Sequence, residues 1–373
     1  MDTLDDWSLS RRLDMMSEFS LLAAQAWFHH RHKYCWIVAD DVVDWSCHPY
    51  WSRSPGAAQQ RAELACVEGF AVRMTLAAQV WSTTLSLIIS SLDEGTELKE
   101  TLESVFAGSV APAETIVVDD GGSDDSCAAL HGEDWRGRNV IVHRVERSGI
   151  AAARNVGSRL ANGPHLVFLD AHCRLDRLCL AELEAALIAR PDAILAPAMC
   201  DFGSTVYGCG ARLIDADLRV RWLPPPASSS PFAQVPLAPG GCLAVSRTTF
   251  DRLGGFGVFR ELGLEDVDFS LRAWRAGIDV LAVPSAKLAH KFRPNPPYTL
   301  SSASRAYNVA RIALIHFDGL RREECLRKII GTPRAAEVLV DAFVSDWKYQ
   351  REQIATISSK TMESYFEYFG DWN

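Results

Sequence analysis

The hydrophobic pattern changes character twice along the chain. Up to about residue 80, apolar residues and tryptophans (Trp7, Trp27, Trp36, Trp45, Trp51) gather in stretches that predict helices around Leu9–His30 and Gln59–Gln79. From Thr84, short continuous apolar runs alternate with amphipathic ones. The runs Leu85–Ser90, Thr115–Val118, Asn139–Val145, His165–Asp170, Asp192–Met199 and Asp279–Pro284 predict strands, and Ala238–Ser246 reads as a Gly-rich entry to another. Thr96–Phe106 carries Leu98, Leu102, Val105 and Phe106 at helical spacing, with Gly108 as its stop. Gly149–Ala161, Leu178–Ala189 and Leu264–Gly277 also predict helices, and Ser123 after a Gly-Gly turn reads as an N-cap. Beyond Pro297 the pattern is helical again, over Ser302–Phe317, Arg321–Ile330 and Arg334–Thr356, and the aromatic tail from Tyr365 reads as an ordinary packed or frayed end rather than a docking or lid segment.

Strand–helix alternation at this spacing implies an α/β fold with a mostly parallel sheet, right-handed crossovers and helices on both faces. Helical N- and C-terminal appendages flank it.

Composition narrows the class. The 373 residues are 48% apolar and 23% charged, as in a folded globular protein, and the formal charge of −9 argues against nucleic acid as a partner. The ten cysteines are scattered, with no CxxC pair, which points to reduced thiols and a cytoplasmic protein. The N-terminus lacks the apolar core of a signal peptide, and Leu76–Leu92, broken by Gln79 and Ser82–Thr84, falls short of a transmembrane segment. The run His29–Lys33 reads as a solvated helix end.

The chemistry concentrates at Leu166–Asp176, where an apolar strand ends in Asp170, Ala171 and His172. Open α/β sheets bind ligands beyond the carboxyl ends of their strands. A carboxylate and an imidazole two residues apart could share a divalent cation, Mn²⁺ suiting the mixed oxygen and nitrogen set better than Mg²⁺ or Zn²⁺. Cys173, next in the chain, reads as a packed thiol, because no base is named beside it. No G-x-G-x-x-G follows the first strand, and the Walker A, HExxH and G-x-S-x-G patterns are missing.

The strings VVDDGGSDDS, ERSGIAAARNVG, FLDAHC, the Gly-Gly pair, LEDVDFSLRAWRAG and AHKFR occur in this order between Leu85 and Arg293. In order and spacing they resemble the nucleotide-sugar glycosyltransferases of the GT-A (Rossmann-like) fold, family 2, and FLDAHC with AHKFR is similar to the Asp-x-His metal motif of the polypeptide N-acetylgalactosaminyltransferases. The resemblance implies a catalytic domain over 81–297, a helical extension over 1–80 and another over 298–373. It implies a UDP-sugar donor, Mn²⁺ or Mg²⁺, and a glycan, peptide or small-molecule acceptor. Asp93, Asp119 and Asp120 match positions facing uracil and ribose, although Ser90 and Leu92 replace the usual proline and aromatic. Arg154 matches an arginine near the nucleotide, able to bridge phosphate or uracil oxygens. Asp170, His172 and His290 match metal ligands, Asp170 lying under the diphosphate. Gly240 and Gly241 would let the backbone approach the sugar. Asp266 matches the general base of inverting members, with Glu265 beside it, whereas the N-acetylgalactosaminyltransferases, which are retaining, carry Glu-Asn there. Trp274 reads as core. The alternatives to an inverting transferase are a retaining N-acetylgalactosaminyltransferase-like enzyme acting on peptide and a non-catalytic nucleotide-sugar-binding protein.

Overall fold

The computed structural model describes residues 83–372 apart from 132–134, 136, 228–229 and 294–295, together with two short strands nearer the N-terminus. The chain divides into two compact units, Met1–Trp81 and Ser82–Asn373. In the first, β1 (Ile37–Ala39) and β2 (Val42–Asp44) pair antiparallel. The helices expected at Leu9–His30 and Gln59–Gln79, and the run His29–Lys33, lie outside the described residues.

The second unit is built on one sheet. Its parallel part joins β3 (Leu85–Ser91), β4 (Glu114–Asp119), β5 (Val140–Arg144) and β6 (His165–Asp170). On the far side of β6, β12 (Cys242–Ser246) runs antiparallel between β6 and β8 (Ile194–Asp201), and β13 (Val280–His290) lies parallel to β8. Two small strands, β7 (Cys173–Leu175) and β11 (Ala233–Gln234), pair antiparallel with β13, and β9 (Ala211–Leu213) and β10 (Val220–Trp222) form a separate hairpin. Six of the nine strands in this sheet run one way, as the alternation implied, and β12, β7 and β11 run against them. The second half of the unit lacks the regular strand–helix spacing that forces crossovers, so β12 returns through the middle in the opposite sense.

Strand alternation divides the core in two. Leu85, Leu87, Ile89, Val167 and Leu169 pack against α1 (Thr96–Phe106) and α3 (Cys179–Ala189) on one face. Ile88, Ile116, Leu166 and Phe168 point to the other face, under α2 (Ile150–Leu160), α4 (Arg247–Arg252) and α5 (Glu265–Arg275). Strands buried on both faces read as continuous apolar runs, which is why His165–Asp170 matches the sequence reading at both ends, as the amphipathic spacing of Thr96–Phe106 does for α1.

The C-terminal helices join the second core. α6 (Ser302–His316) is buried almost along its whole length, under α7 (Gly319–Ile330), α8 (Ala335–Val344) and α9 (Trp347–Ile357). The single helix expected over Arg334–Thr356 is two, broken at Ser345–Asp346, where buried Arg311 donates to the Ser345 hydroxyl and pairs with Asp346. No glycine or proline marks that break in the sequence. The last helix, α10 (Met362–Phe369), packs Tyr365 and Phe369 on buried Trp274. Among the described residues no helix is long and apolar enough to cross a membrane.

Candidate active site

Register brings three candidate ligands together. Asp170 is the last residue of β6, and its N–H donates to the Gly241 carbonyl at the entry to β12 (3.0 Å). The chain then turns through Ala171 and His172 into β7, which pairs with the end of β13 so that Cys173 faces His290. The Lys291 N–H donates back to the His172 carbonyl (3.0 Å). DVLAVP suggested a strand ending at Pro284, but β13 shifts register between Val283 and Lys287 and runs on to His290. An irregularity of this kind accommodates a strand proline.

One ligand atom from each of Asp170, His172 and His290 lies within 4.8 Å of the others. Asp170 Oδ2 is 3.2 Å from His290 Nε2, and the two imidazole rings meet edge to face at 4.8 Å. A carboxylate oxygen and two imidazole nitrogens converging this way fit a divalent cation of the Mn²⁺ type. Burial alone would raise the Asp170 pKa, but the His290 hydrogen bond and the Arg154 guanidinium outweigh it and hold its carboxyl well below the usual range. The anionic ligand form is thus the stable one.

The ligands open on a cavity of about 610 Å³ that also receives Glu94, Asp120, Arg147 and Tyr298. That volume accommodates a nucleotide-sized ligand. Glu94, Arg147 and Tyr298 were not singled out from the sequence. Arg147 directly precedes the Ser148–Gly149 entry to α2, a charge before a helix-opening glycine that could have marked it, whereas nothing in the sequence marks Tyr298. Burial, with Glu94 and Asp170 nearby, pushes the Tyr298 hydroxyl up to about 12.

Of the three acids read as nucleotide contacts, Asp120 lines the cavity and Asp93 and Asp119 do not, and all three are held by hydrogen bonds within the protein. Asp93 accepts from the Ser123 N–H, the Ser123 hydroxyl (3.1 Å) and the Asp124 N–H (3.0 Å). Ser123 belongs to this turn and caps no helix. Asp119 accepts from the Gly122 N–H (2.8 Å) and pairs with Arg144 (2.6 Å). Asp120 reaches the cavity, yet its oxygens accept from the Ser148 N–H and hydroxyl and from the Gly149 N–H at 2.7–3.0 Å. Turn amides, the Ser123 and Ser148 hydroxyls and the Arg144 guanidinium together satisfy all three.

Arg154 is fully buried, and it lies beneath the site rather than in the cavity lining. It donates to Asp170 (2.7 Å), Glu265 (2.9 Å) and the Gly240 carbonyl (2.6 Å). So enclosed, the guanidinium is bonded to Asp170 and stands apart from the cavity. The two glycines serve the same packing. A Cβ on Gly241 would stand 2.8 Å from His290 Cδ2, and one on Gly240 would stand 3.2 Å from Arg154 Nη1 and from Asp266 Oδ2. They make room for the protein's own site residues.

Glu265 and Asp266 open α5 but do not line the cavity. Asp266 accepts from the Gly240 N–H and from the Val267 N–H, both at 2.8 Å. Glu265 leaves Oε2 buried without a hydrogen-bond partner. Burial first, then the Asp266 charge, pushes the Glu265 carboxyl up to about 7, and burial also raises Asp266. Cys173 is buried with its thiol on the Gly241 carbonyl, and burial pushes it far above the ordinary thiol range, as a packed cysteine requires.

Residues 86–253 match the family described as Glycosyl transferase family 2. Polypeptide N-acetylgalactosaminyltransferase 11 of Xenopus tropicalis is 28% identical over 256 residues, 62% of this chain and 42% of the relative. A probable N-acetylgalactosaminyltransferase 8 of Caenorhabditis elegans is 28% identical over 222 residues, covering 54% of this chain and 52% of the relative. The chain thus spans about half the length of the curated relatives it matches. A crystal structure of GalNAc-T7 with UDP, GalNAc and Mn²⁺ superposes with a TM-score of 0.64 at 22% identity, over 77% of this chain and 57% of that one. The fold is the GT-A fold, and the chain resembles the polypeptide N-acetylgalactosaminyltransferases.

Proposed function

We propose that this chain is a metal-dependent glycosyltransferase that moves a sugar from a UDP-sugar to an acceptor hydroxyl. The observation that carries the reading is the convergence of Asp170, His172 and His290 on a nucleotide-sized cavity at the carboxyl ends of the strands. The relatives' names and the UDP, GalNAc and Mn²⁺ of the GalNAc-T7 structure support it.

Asp170, His172 and His290 would hold the metal, Mn²⁺ or Mg²⁺, which when bound neutralises charge on the departing diphosphate. In the reaction the acceptor oxygen bonds to the anomeric carbon. The bond from that carbon to the β-phosphate oxygen breaks, and UDP leaves with the electron pair. Arg154 keeps Asp170 anionic and oriented, and Arg147 in the cavity wall offers a cation for phosphate oxygens.

In the inverting form, Asp266 takes the hydroxyl proton. A second reading, retention without a base at this position, gains support from one observation: both Asp266 oxygens accept backbone N–H groups away from the cavity lining. Release of UDP from UDP-glucose, UDP-N-acetylglucosamine and UDP-N-acetylgalactosamine with Mn²⁺, with product configuration read by NMR, separates them. Inversion predicts the opposite anomer and a loss of about 10²–10⁴-fold in Asp266→Asn. Retention predicts the same anomer and a loss of less than about tenfold, asparagine being the residue the retaining relatives carry. Failure of every UDP-sugar to react or to raise the melting temperature would remove the transferase reading itself.

A further inference from the structure

Glu94 follows β3, and its side chain is buried at 4% exposure between two groups of opposite role. One carboxylate oxygen lies 3.2 Å from His172 Nδ1, and the other accepts from Arg293 at 2.7 Å. We propose that Glu94 is a positioning residue for the metal centre, one that fixes which nitrogen His172 offers. The inference rests on the metal-dependent reading of Asp170, His172 and His290.

A carboxylate paired with a guanidinium is an acceptor only, so the ring nitrogen facing it must carry the hydrogen. In neutral His172 that nitrogen is Nδ1. Nε2 is then left with its lone pair free to meet a cation beside Asp170 and His290. A ligating histidine held by a carboxylate on its other nitrogen has a fixed tautomer and ring orientation and is a stronger base. Arg293 holds the second Glu94 oxygen, so the carboxylate cannot rotate away from the imidazole.

The preceding residue explains how the chain delivers Glu94. Asp93 has a φ of +52°. Aspartate is one of the few residues that enters this region at modest cost. Its Oδ1 is clamped by the Ser123 N–H and hydroxyl and by the Asp124 N–H, while Asp124 Oδ2 accepts from the Gly95 N–H at 2.8 Å. The 93–95 turn is thus tied on both sides of Glu94, and it aims the carboxylate at His172. Asp93, read from sequence as a base or ribose contact, supports the metal centre at two removes.

Glu97, one turn further on, pairs with Lys291 and Arg174 and touches no histidine. It is the internal control, an acid of the same helix start bound to the same segment after β13. The test combines two measurements on wild type, Glu94→Gln and Glu97→Gln. ¹⁵N NMR of the metal-free protein at pH 8 should show His172 with its hydrogen on Nδ1 in wild type and Glu97→Gln, and a mixture of tautomers in Glu94→Gln. Titration with Mn²⁺ alone should give a Kd about 10–100-fold weaker in Glu94→Gln than in the other two. A matching melting temperature guards against misfolding, and Glu94→Asp should recover part of the affinity. Equal Mn²⁺ affinity and an unchanged tautomer in Glu94→Gln would overturn the proposal, as would an equal loss in Glu97→Gln. If wild type binds no Mn²⁺ while the tautomer still shifts, the metal-dependent reading falls and the Glu94–His172 coupling stands.

Discussion

Two sets of acids sit at the same end of the same sheet, and they have opposite fates. Asp119 closes β4, Asp120 comes next and Asp93 follows β3, and their oxygens accept donors from nearby turns and, at Asp119, from Arg144 at the end of β5. Asp170 closes β6, and its oxygens meet a buried guanidinium and an imidazole. The difference lies in what surrounds each strand end. The Gly121–Gly122–Ser123 and Ser148–Gly149 turns supply free N–H groups at hydrogen-bond distance. At β6 the donors are instead side chains brought from β13 and α2. An acid after a buried strand becomes a ligand-ready group only where local backbone amides do not satisfy it first.

Substitutions can break this contrast. The largest effect is expected from Asp170→Ala, which removes a proposed metal ligand and a partner of fully buried Arg154. Leaving such a charge short of partners costs on the order of 3–5 kcal/mol. Urea unfolding should show that loss, and Mn²⁺ binding should vanish. Normal stability with intact Mn²⁺ binding would erase the distinction between the two sets.

Glu265 gives the next effect, through pH. Its carboxyl is pushed from 4.5 up to about 7 by burial and by Asp266, so the folded chain keeps a proton that the unfolded chain releases. The stability it contributes is complete below about pH 4.5 and is lost as pH rises through about 7. Asp170, shifted downward, acts in the opposite window, and its contribution is lost as pH falls below the ordinary aspartate range. From pH 5 to 8 the unfolding free energy of wild type should fall relative to that of Glu265→Gln, by an amount on the order of 3 kcal/mol. Parallel curves for the two proteins would contradict this assignment.

The smallest effect sharpens the other side of the comparison. Asp120→Ala removes the acceptor of three hydrogen bonds that hold the entry to α2. A loss of about 1–3 kcal/mol is expected, with Mn²⁺ affinity unchanged. Unchanged stability with lost UDP binding would return Asp120 to the ligand-facing class that the resemblance implied.

Much of this was legible in the residues. The run HLVFLD is apolar at every interior position, so the strand and its end at Asp170 followed from pattern alone. His290 was named from the resemblance, but the path that delivers it was not, because Pro284 looks like a strand end and the shifted register that absorbs it has no local sequence mark. Arg154 and the two glycines were assigned to ligand because the sequence shows a residue's type and not what fills the space around it. Their real neighbours, Asp170, Glu265 and His290, come from three other elements. Glu94 was overlooked beside Asp93 for the same reason: adjacent acids on a turn look alike until the turn's φ angles decide which one faces inward.

The central claim is that Asp170, His172 and His290 form one metal centre. Crystals soaked in Mn²⁺ with UDP, with diffraction collected at a wavelength where manganese scatters anomalously, test it most directly. A single strong anomalous peak is expected in coordination distance of Asp170 and of both histidines, with the His172 contact through Nε2. A peak elsewhere, or none at this triad while UDP occupies the cavity, would contradict it.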